Sequence, residues 1–344
     1  MSMGRTIEKW PMTVAGGRDR MEIDVLCAGL ATCDLVYEVG HHPGEDEKCF
    51  ASSLLLCGGG PAANAAVAVA RLGGVAAFTG YLANDLFGRM HFEELVSEGV
   101  ITSLIARNDP DVQAAGRVFS PLSSILVKPG GKRTVITHKG ATPIIEPGQI
   151  DFSNLSPRTM LFDGHQPALS GFLAARARTK NIATILDAGS VSEGTASLAR
   201  VCTHLVASEK FARDFSGQKD PRAALDHLGR IAPVAVITLG DAGLIYRDSR
   251  SGGGACIELP AFSVQALDTT GAGDIFHGAF ALRIARGEEL SRALRYASAA
   301  AALGCTKMGA RPAIPSAAEV EALLRRRAAG PPAGSPGPSA WPIP

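Results

Sequence analysis

Residues 269–274 read "TTGAGD", two hydroxyls, two glycines and a carboxylate, and run directly into the apolar stretch "IFHGAFALRIARG". That pattern can open a helix at Asp274, with Arg283 and Arg286 in the last turn and Gly287 as its C-terminal cap. The first turn of a helix leaves backbone N–H groups unpaired at the positive end of the helix dipole, and Gly271 and Gly273 let the backbone approach a ligand closely. The stretch can therefore hold a phosphate. A carboxylate in the same turn can take the proton from a hydroxyl that attacks the phosphoryl group, while the N–H groups stabilise the charge that develops there. A plainer reading stands beside this one. Aspartate commonly caps or charges a first helical turn, and a short glycine-rich motif is weak by itself.

The elements that would position this turn alternate along the chain. "IDVLCAGL" (23–30) has strand length, and "GGGPAANAAVAVARLGG" (58–74) opens with glycines and a proline before continuing as an alanine-rich helix. "VAAFTGYLA" and the helical "DLFGRMHFEELVSEGV" follow, and the rhythm returns in "MLFDGH", "ATILDAGS", "THLVASE" and "VAVITLGDAG". The reading is an α/β fold with a mostly parallel central sheet flanked by helices, whose ligands bind beyond the carboxyl ends of the strands. Residues 112–139 break the pattern with two extended runs around Pro129-Gly130-Gly131-Lys132, a hairpin signal, and 36–56 is a second extended stretch. Both are expected in a small β-sheet able to act as a lid. Residues 1–20 and the Pro-, Gly- and Ala-rich 329–344 are expected to be disordered, which leaves 21–328 as one domain.

Composition excludes several classes. Lys and Arg number 34 against 33 Asp and Glu, for a net charge of +1, and no basic block carries interleaved aromatics, so nucleic acid is not an expected partner. No apolar run approaches membrane length, and charges stand in the N-terminal residues where a signal peptide needs an apolar segment; the expected compartment is the cytoplasm. The seven cysteines are scattered without a C-x-x-C pair, and the histidines lack ligand spacing, which argues against a disulfide framework or a structural metal.

Taken together, "DTTGAGDIFHGAF" and "GGGPAANAAVAVARLG" resemble the C-terminal signature and the N-terminal diglycine motif of the ribokinase-like (PfkB) carbohydrate kinases, in the right order and covering roughly residues 22–325. The resemblance implies that Asp274 is the catalytic base and that the backbone of Gly271, Ala272 and Gly273 is the anion hole. It also implies that Asp34, Gly59, Gly60 and Asn64 approach the sugar. On the nucleotide side, "VITLGDAG" resembles the strand and glycine turn that lie along ATP, which nominates Thr238, Gly240 and Gly243, together with Ser208. The family's N-x-x-E motif is departed from in "LVASEKFARDFSG", where Ser208 and Phe211 stand in its place and Glu209 is out of phase. No protein ligand to Mg2+ is therefore assigned, although the ion is expected with ATP. A monovalent-cation loop near Asp268, Thr270 and residues 305–313 is conceivable, but Ala313 stands where a hydroxyl would help.

Within the family the motifs look most like members acting on ketohexose-type substrates, 6-deoxy-6-sulfofructose among them, and imply transfer to a primary hydroxyl. An anionic tail would need cations from the lid region, where Arg117, Lys132, Arg133, His138 and Lys139 lie. In an extended run His138 and Lys139 point to opposite faces, lysine and arginine at a Pro-Gly-Gly turn are commonly solvated, and Thr137 and His165 occupy the positions where a sulfonate grip would be sought. Ribose, 2-keto-3-deoxygluconate or nucleoside kinases of the same fold are the alternatives, as is a non-catalytic sugar-binding regulator. A homodimer through the β lid is expected.

Overall fold

The computed structural model describes residues 20–107, 119–140, 142–250 and 254–328. An eight-stranded sheet runs in the order β12-β11-β10-β9-β8-β7-β1-β4. Its strands are β1 (Met21–Gly29), β4 (Ala76–Gly80), β7 (Leu155–Phe162), β8 (Ala183–Ala188), β9 (His204–Ser208), β10 (Val234–Thr238), β11 (Leu244–Asp248) and β12 (Ile257–Leu259). Every pairing from β4 to β10 is parallel, and only β10-β11 and β11-β12 are antiparallel. Parallel strands need helical crossovers, and those helices cover both faces, which is why residues 25–29 of β1 are all buried. Two apolar cores result, one on each side of the sheet.

A second sheet, in the order β3-β2-β5-β6, is built from β2 (Thr32–Glu38), β3 (Ser53–Gly59), β5 (Leu122–Val127) and β6 (Arg133–His138). Its two outer pairings are antiparallel and its central β2-β5 pairing is parallel. The expected hairpin is present with its turn at 128–132, but the first of its strands begins at Leu122. Arg117 falls outside the described residues. The expected stretch 36–56 divides into β2 and β3, because "GHHPGEDEKC" between them is dense in turn formers. The expectations for residues 1–19 and 329–344 also fall outside the described residues.

Two helices bring the two glycine-rich motifs of the sequence face to face. Helix α1 (Pro61–Arg71) has Pro61 in its first turn, and every residue from Ala62 to Val69 is buried. A helix apolar all round can only be an interior one. It packs on a helix at residues 272–285, and the approach is close: a Cβ at Gly278 would lie 2.5 Å from the Ala65 carbonyl oxygen. Small residues on both partners thus set the distance between Asn64 and Asp274. The remaining helices are α2 (Leu86–Ser97), α3 (Pro167–Thr179), α4 (Glu193–Leu198), α5 (Glu209–Ser216), α6 (Pro221–Leu228), α7 (Ala272–Ala285), α8 (Leu290–Gly304), α9 (Ala310–Ala313) and α10 (Ala317–Ala328). Among the described residues no helix is long and apolar enough to cross a membrane. All seven cysteines are unpaired.

Candidate active site

The turn before α7 is held from below by a buried carboxylate. Asp268 Oδ1 accepts from the Thr270 N–H at 2.8 Å and from its hydroxyl at 2.6 Å, and Oδ2 accepts from the Gly309 N–H at 2.8 Å. These bonds fix the turn against Gly309, the residue that opens α9. Gly271 follows at φ 75°, and a Cβ there would lie 2.5 Å from the Ala310 Cβ, so only glycine fits. Of the three amides expected to form the anion hole, that of Ala272 turns back to the Thr269 carbonyl at 3.3 Å. Those of Gly271 and Gly273 carry no bond to any described residue. Asp274 occupies the first turn of α7, partly accessible, with its Oδ2 accepting from Asn64 Nδ2 at 2.7 Å. Desolvation by the surrounding protein raises its carboxyl above the usual range, against the pull of Asn64, His277 and Arg133.

The second sheet contributes the opposite wall. Asp34 lies in β2 and is buried, with Thr32 Oγ1 donating to its Oδ1 at 2.7 Å. Burial pushes its carboxyl up to about 6, and the nearby Asp274 charge adds to the shift. Gly59 passes over this carboxylate so closely that a Cβ would stand 2.1 Å from Oδ2, and Gly60, at φ 93°, turns the chain into α1 within reach of the Leu30 carbonyl. Asp34, Gly59, Gly60, Asn64 and Asp274 are therefore brought into one constellation. Alongside Asp34 the register places Ser123 and then Thr137, whose hydroxyls are 3.1 Å apart.

The lid cations separate. Arg133 Nη1 donates to Thr269 Oγ1 at 2.5 Å, so the hairpin turn docks on the anion turn, where Gly131 also bridges Asp268. Lys139 Nζ stands 3.4 Å from His165 Nδ1, beyond Thr137. His138, one residue from Thr137, faces the other side of the sheet and is exposed, as is Lys132 in the turn.

On the far side of α7 lies a cavity of 460 Å³, a size suited to a small-molecule ligand. Thr238, Gly240 and Gly243 line one side, Ala301, Ala302 and Cys305 of α8 and its end another, and Thr269, Ala272 and Gly273 close the end nearest Asp274. Gly243, at φ 96°, has no room for a Cβ beside the Leu259 carbonyl. Ser208 is not part of this lining: its hydroxyl caps α5 through the Phe211 N–H at 2.9 Å and donates to the Gly189 carbonyl at 2.8 Å. Glu209 is exposed and lines a separate small pocket. Among the described residues no group of three or more His, Cys, Asp or Glu could hold a metal ion.

Four buried residues that sequence reasoning did not single out stand near Asp274 and its partner Asn64. Asp163, at the end of β7, accepts from the Leu30, Ala62 and His165 N–H groups and so joins β1 to α1 beneath the site; Gly29 has no Cβ because the carboxylate fills that space. His277, one turn along α7, lies 3.5 Å from Asp187, whose carboxyl burial raises. Arg311 in α9 is 1% exposed and bonds Asn64. Asp163 and Asp187 each end an apolar run, the position where an α/β sheet presents its ligand-side residues; Arg311 left only a lone cation among small residues as its signal.

Comparison with known proteins agrees with this geometry. The profile described as pfkB family carbohydrate kinase matches residues 22–317. The ribokinase of Bacillus subtilis is 27% identical over 310 residues, covering 88% of this chain and 99% of the relative, and fructokinase-1 of Zea mays is 30% identical over 311 residues, covering 80% and 91%. The solved ribokinase of Thermotoga maritima superimposes with a TM-score of 0.74 at 25% identity, covering 88% of this chain and 99% of that one. With the family's match spanning most of the chain and the fold reproduced, the chain belongs to the pfkB family of carbohydrate kinases and is an ATP-dependent sugar kinase.

Proposed function

We propose that the chain transfers the γ-phosphoryl group of ATP to a primary hydroxyl of a ketohexose-type sugar. The observation that supports this most is the Asn64–Asp274 bond, which sets a carboxylate of raised pKa between the Asp34 wall and the anion turn. In this reading Asp34 and Asn64 hold the sugar, and Asp274 takes the proton of the attacking hydroxyl. The free amides of Gly271 and Gly273 receive the charge that develops on the transferred group. The cavity beyond α7 takes the nucleotide along Thr238, Gly240 and Gly243. Magnesium, brought by the nucleotide, offsets charge on the phosphates. The lid turn, docked through Arg133 and Gly131, keeps water from the reacting atoms.

Two finer readings have their own support. The Lys139–His165 pair beyond Thr137 favours a ketohexose with an anionic tail, 6-deoxy-6-sulfofructose being the example. The similarity to ribokinases favours a pentose. The lid also supports a homodimer, since Leu54, Leu56 and Ile136 are exposed on its outer face.

The test is ATP consumption with magnesium against fructose, 6-deoxy-6-sulfofructose, fructose phosphates, ribose, tagatose, 2-keto-3-deoxygluconate and adenosine, with Asp274→Asn as the control. A ketohexose is expected to give the highest kcat/KM, and the variant is expected to lose about 10²–10⁴-fold in kcat while calorimetry still detects sugar binding. Preference for ribose or adenosine would move the substrate class. Sugar binding without turnover in the parent enzyme would revive the regulator.

A further inference from the structure

Arg311 is the largest fully buried side chain among the described residues, and the proposed function gives it no role of its own. Its Nε donates to Asn64 Oδ1 at 3.1 Å, and its Nη2 donates to His91 Nε2 at 3.0 Å. Nη1 has no hydrogen bond and stands 3.6 Å from Glu94 Oε1. The other oxygen of Glu94 accepts from the Gly58 N–H at 2.6 Å, beside the diglycine turn. The Arg311 carbonyl accepts from Arg71 Nη1 at 2.9 Å, and Arg71 is itself paired with Glu98. The side chain is thus fixed at both ends.

A guanidinium can only donate and an ionised carboxylate can only accept. The Asn64 amide stands between one of each. Only one orientation satisfies both: carbonyl to Arg311, NH2 to Asp274. The flipped amide would break both bonds and set like dipoles against each neighbour. An arginine buried this deeply is also a poor choice for packing alone, because an apolar side chain of similar volume avoids the desolvation cost. Its directed Nε is spent on the amide rather than on Glu94. We infer that Arg311 is a positioning residue for the base: it fixes the Asn64 amide so that its NH2 holds Asp274 in place. This inference rests on Asp274 being the base.

The consequence is a pH signature. Asp274 is faced by Asn64 from α1, His277 on its own helix, Arg133 from the lid, Asp163 and Asp187 from the strand ends, and Asp34 from β2. Arg311 is faced by His91 and Glu94 of α2, Glu98 just past its end, Asp34 of β2 and Cys57 of β3. Of all these contacts, the Asn64 N–H is the one that stabilises the ionised base by a direct bond at 2.7 Å. Once the amide is free to turn, Asp274 ionises less readily.

The experiment compares kcat/KM as a function of pH for the parent, Arg311→Met, Asn64→Ala and the double variant, each checked for folding by its thermal transition. Arg311→Met should raise the acid limb by about one pH unit and lower kcat near neutrality about tenfold. It should add almost nothing in the Asn64→Ala background, because the two residues act through one bond. If Arg311→Met does not fold, Arg311→Met with Glu94→Gln leaves no unpaired carboxylate in that core and is read in the same way. A folded variant whose acid limb stays in place, or whose loss multiplies with that of Asn64→Ala, would overturn the inference. Asp274→Asn is measured in parallel: if it keeps its turnover, the base assignment itself fails, and the inference with it.

Discussion

Asp34 is held where a carboxylate is uncomfortable. Burial and the charge of Asp274 move its pKa from an ordinary 3.8 to about 6, although the Thr32 hydroxyl bonds it. Between those two values the native chain binds the proton more readily than the unfolded one. Stability therefore falls as pH rises from about 4 to about 6 and stays lower above that, by roughly 3 kcal/mol from this group. Asp34→Asn keeps the shape and the Thr32 contact while removing the buried charge. It is expected to melt a few degrees above the parent at pH 7.5, with the gap closing towards pH 4, and to bind sugar at least about tenfold more weakly. A variant that melts lower at pH 7.5, or whose advantage is the same at both pH values, would show that Asp34 carries no such strain. At this scale Asp274 was legible, because a carboxylate beside a glycine turn carries its own chemical signal, and Asp34 was legible only through the resemblance to the family. Arg311 was not, because its importance lies in burial and in a partner over a hundred residues away, and Asp163 offered only its place at the end of an apolar run.

Among the elements, the strand and helix alternation was readable because each βαβ unit repeats the same change of hydrophobic period. The start of the lid was not. Only residues 30 and 31 separate β1 from β2, so the chain passes from one sheet to the other without turn residues to mark the change. That join nonetheless sets the register that places Thr32 opposite Gly59 and Asp34 opposite Cys57. Gly59 is then fixed by geometry rather than by φ, since any Cβ would enter the Asp34 carboxylate at 2.1 Å. Gly59→Ala should fold and yet lose about 10²-fold in kcat/KM, because the methyl displaces the Asp34 carboxylate proposed to orient the sugar. Gly148→Ala, where a Cβ meets nothing within 4 Å, is the matched control and should leave kinetics unchanged. Equal losses in the two variants would remove the argument.

For the molecule as a whole, the lid has two faces with different work. The inner face carries Asp34, Ser123 and Thr137 over the site. On the outer face the register aligns Leu56, Leu35, Ser124 and Ile136 in one row across four strands. Leu56 is 44% exposed and Ile136 65%, with Leu54 at 58% in the adjoining row, so among the described residues apolar surface is turned to solvent on this face. A second copy of the same face can cover it, and burying what remains exposed of each such side chain is worth on the order of 1 kcal/mol. The chain is expected to be a homodimer by light scattering at micromolar concentration. Leu56→Glu with Ile136→Glu should give a monomer, because the two-fold repeats each introduced charge and brings four carboxylates into one apolar interface. That monomer should also lose kcat/KM, since a lid sheet without its outer cover holds Asp34 and the Arg133 contact less firmly. A parent that is monomeric, or a double variant that stays dimeric, would place the interface elsewhere. A monomer with full activity would show that the lid is braced by its own chain alone.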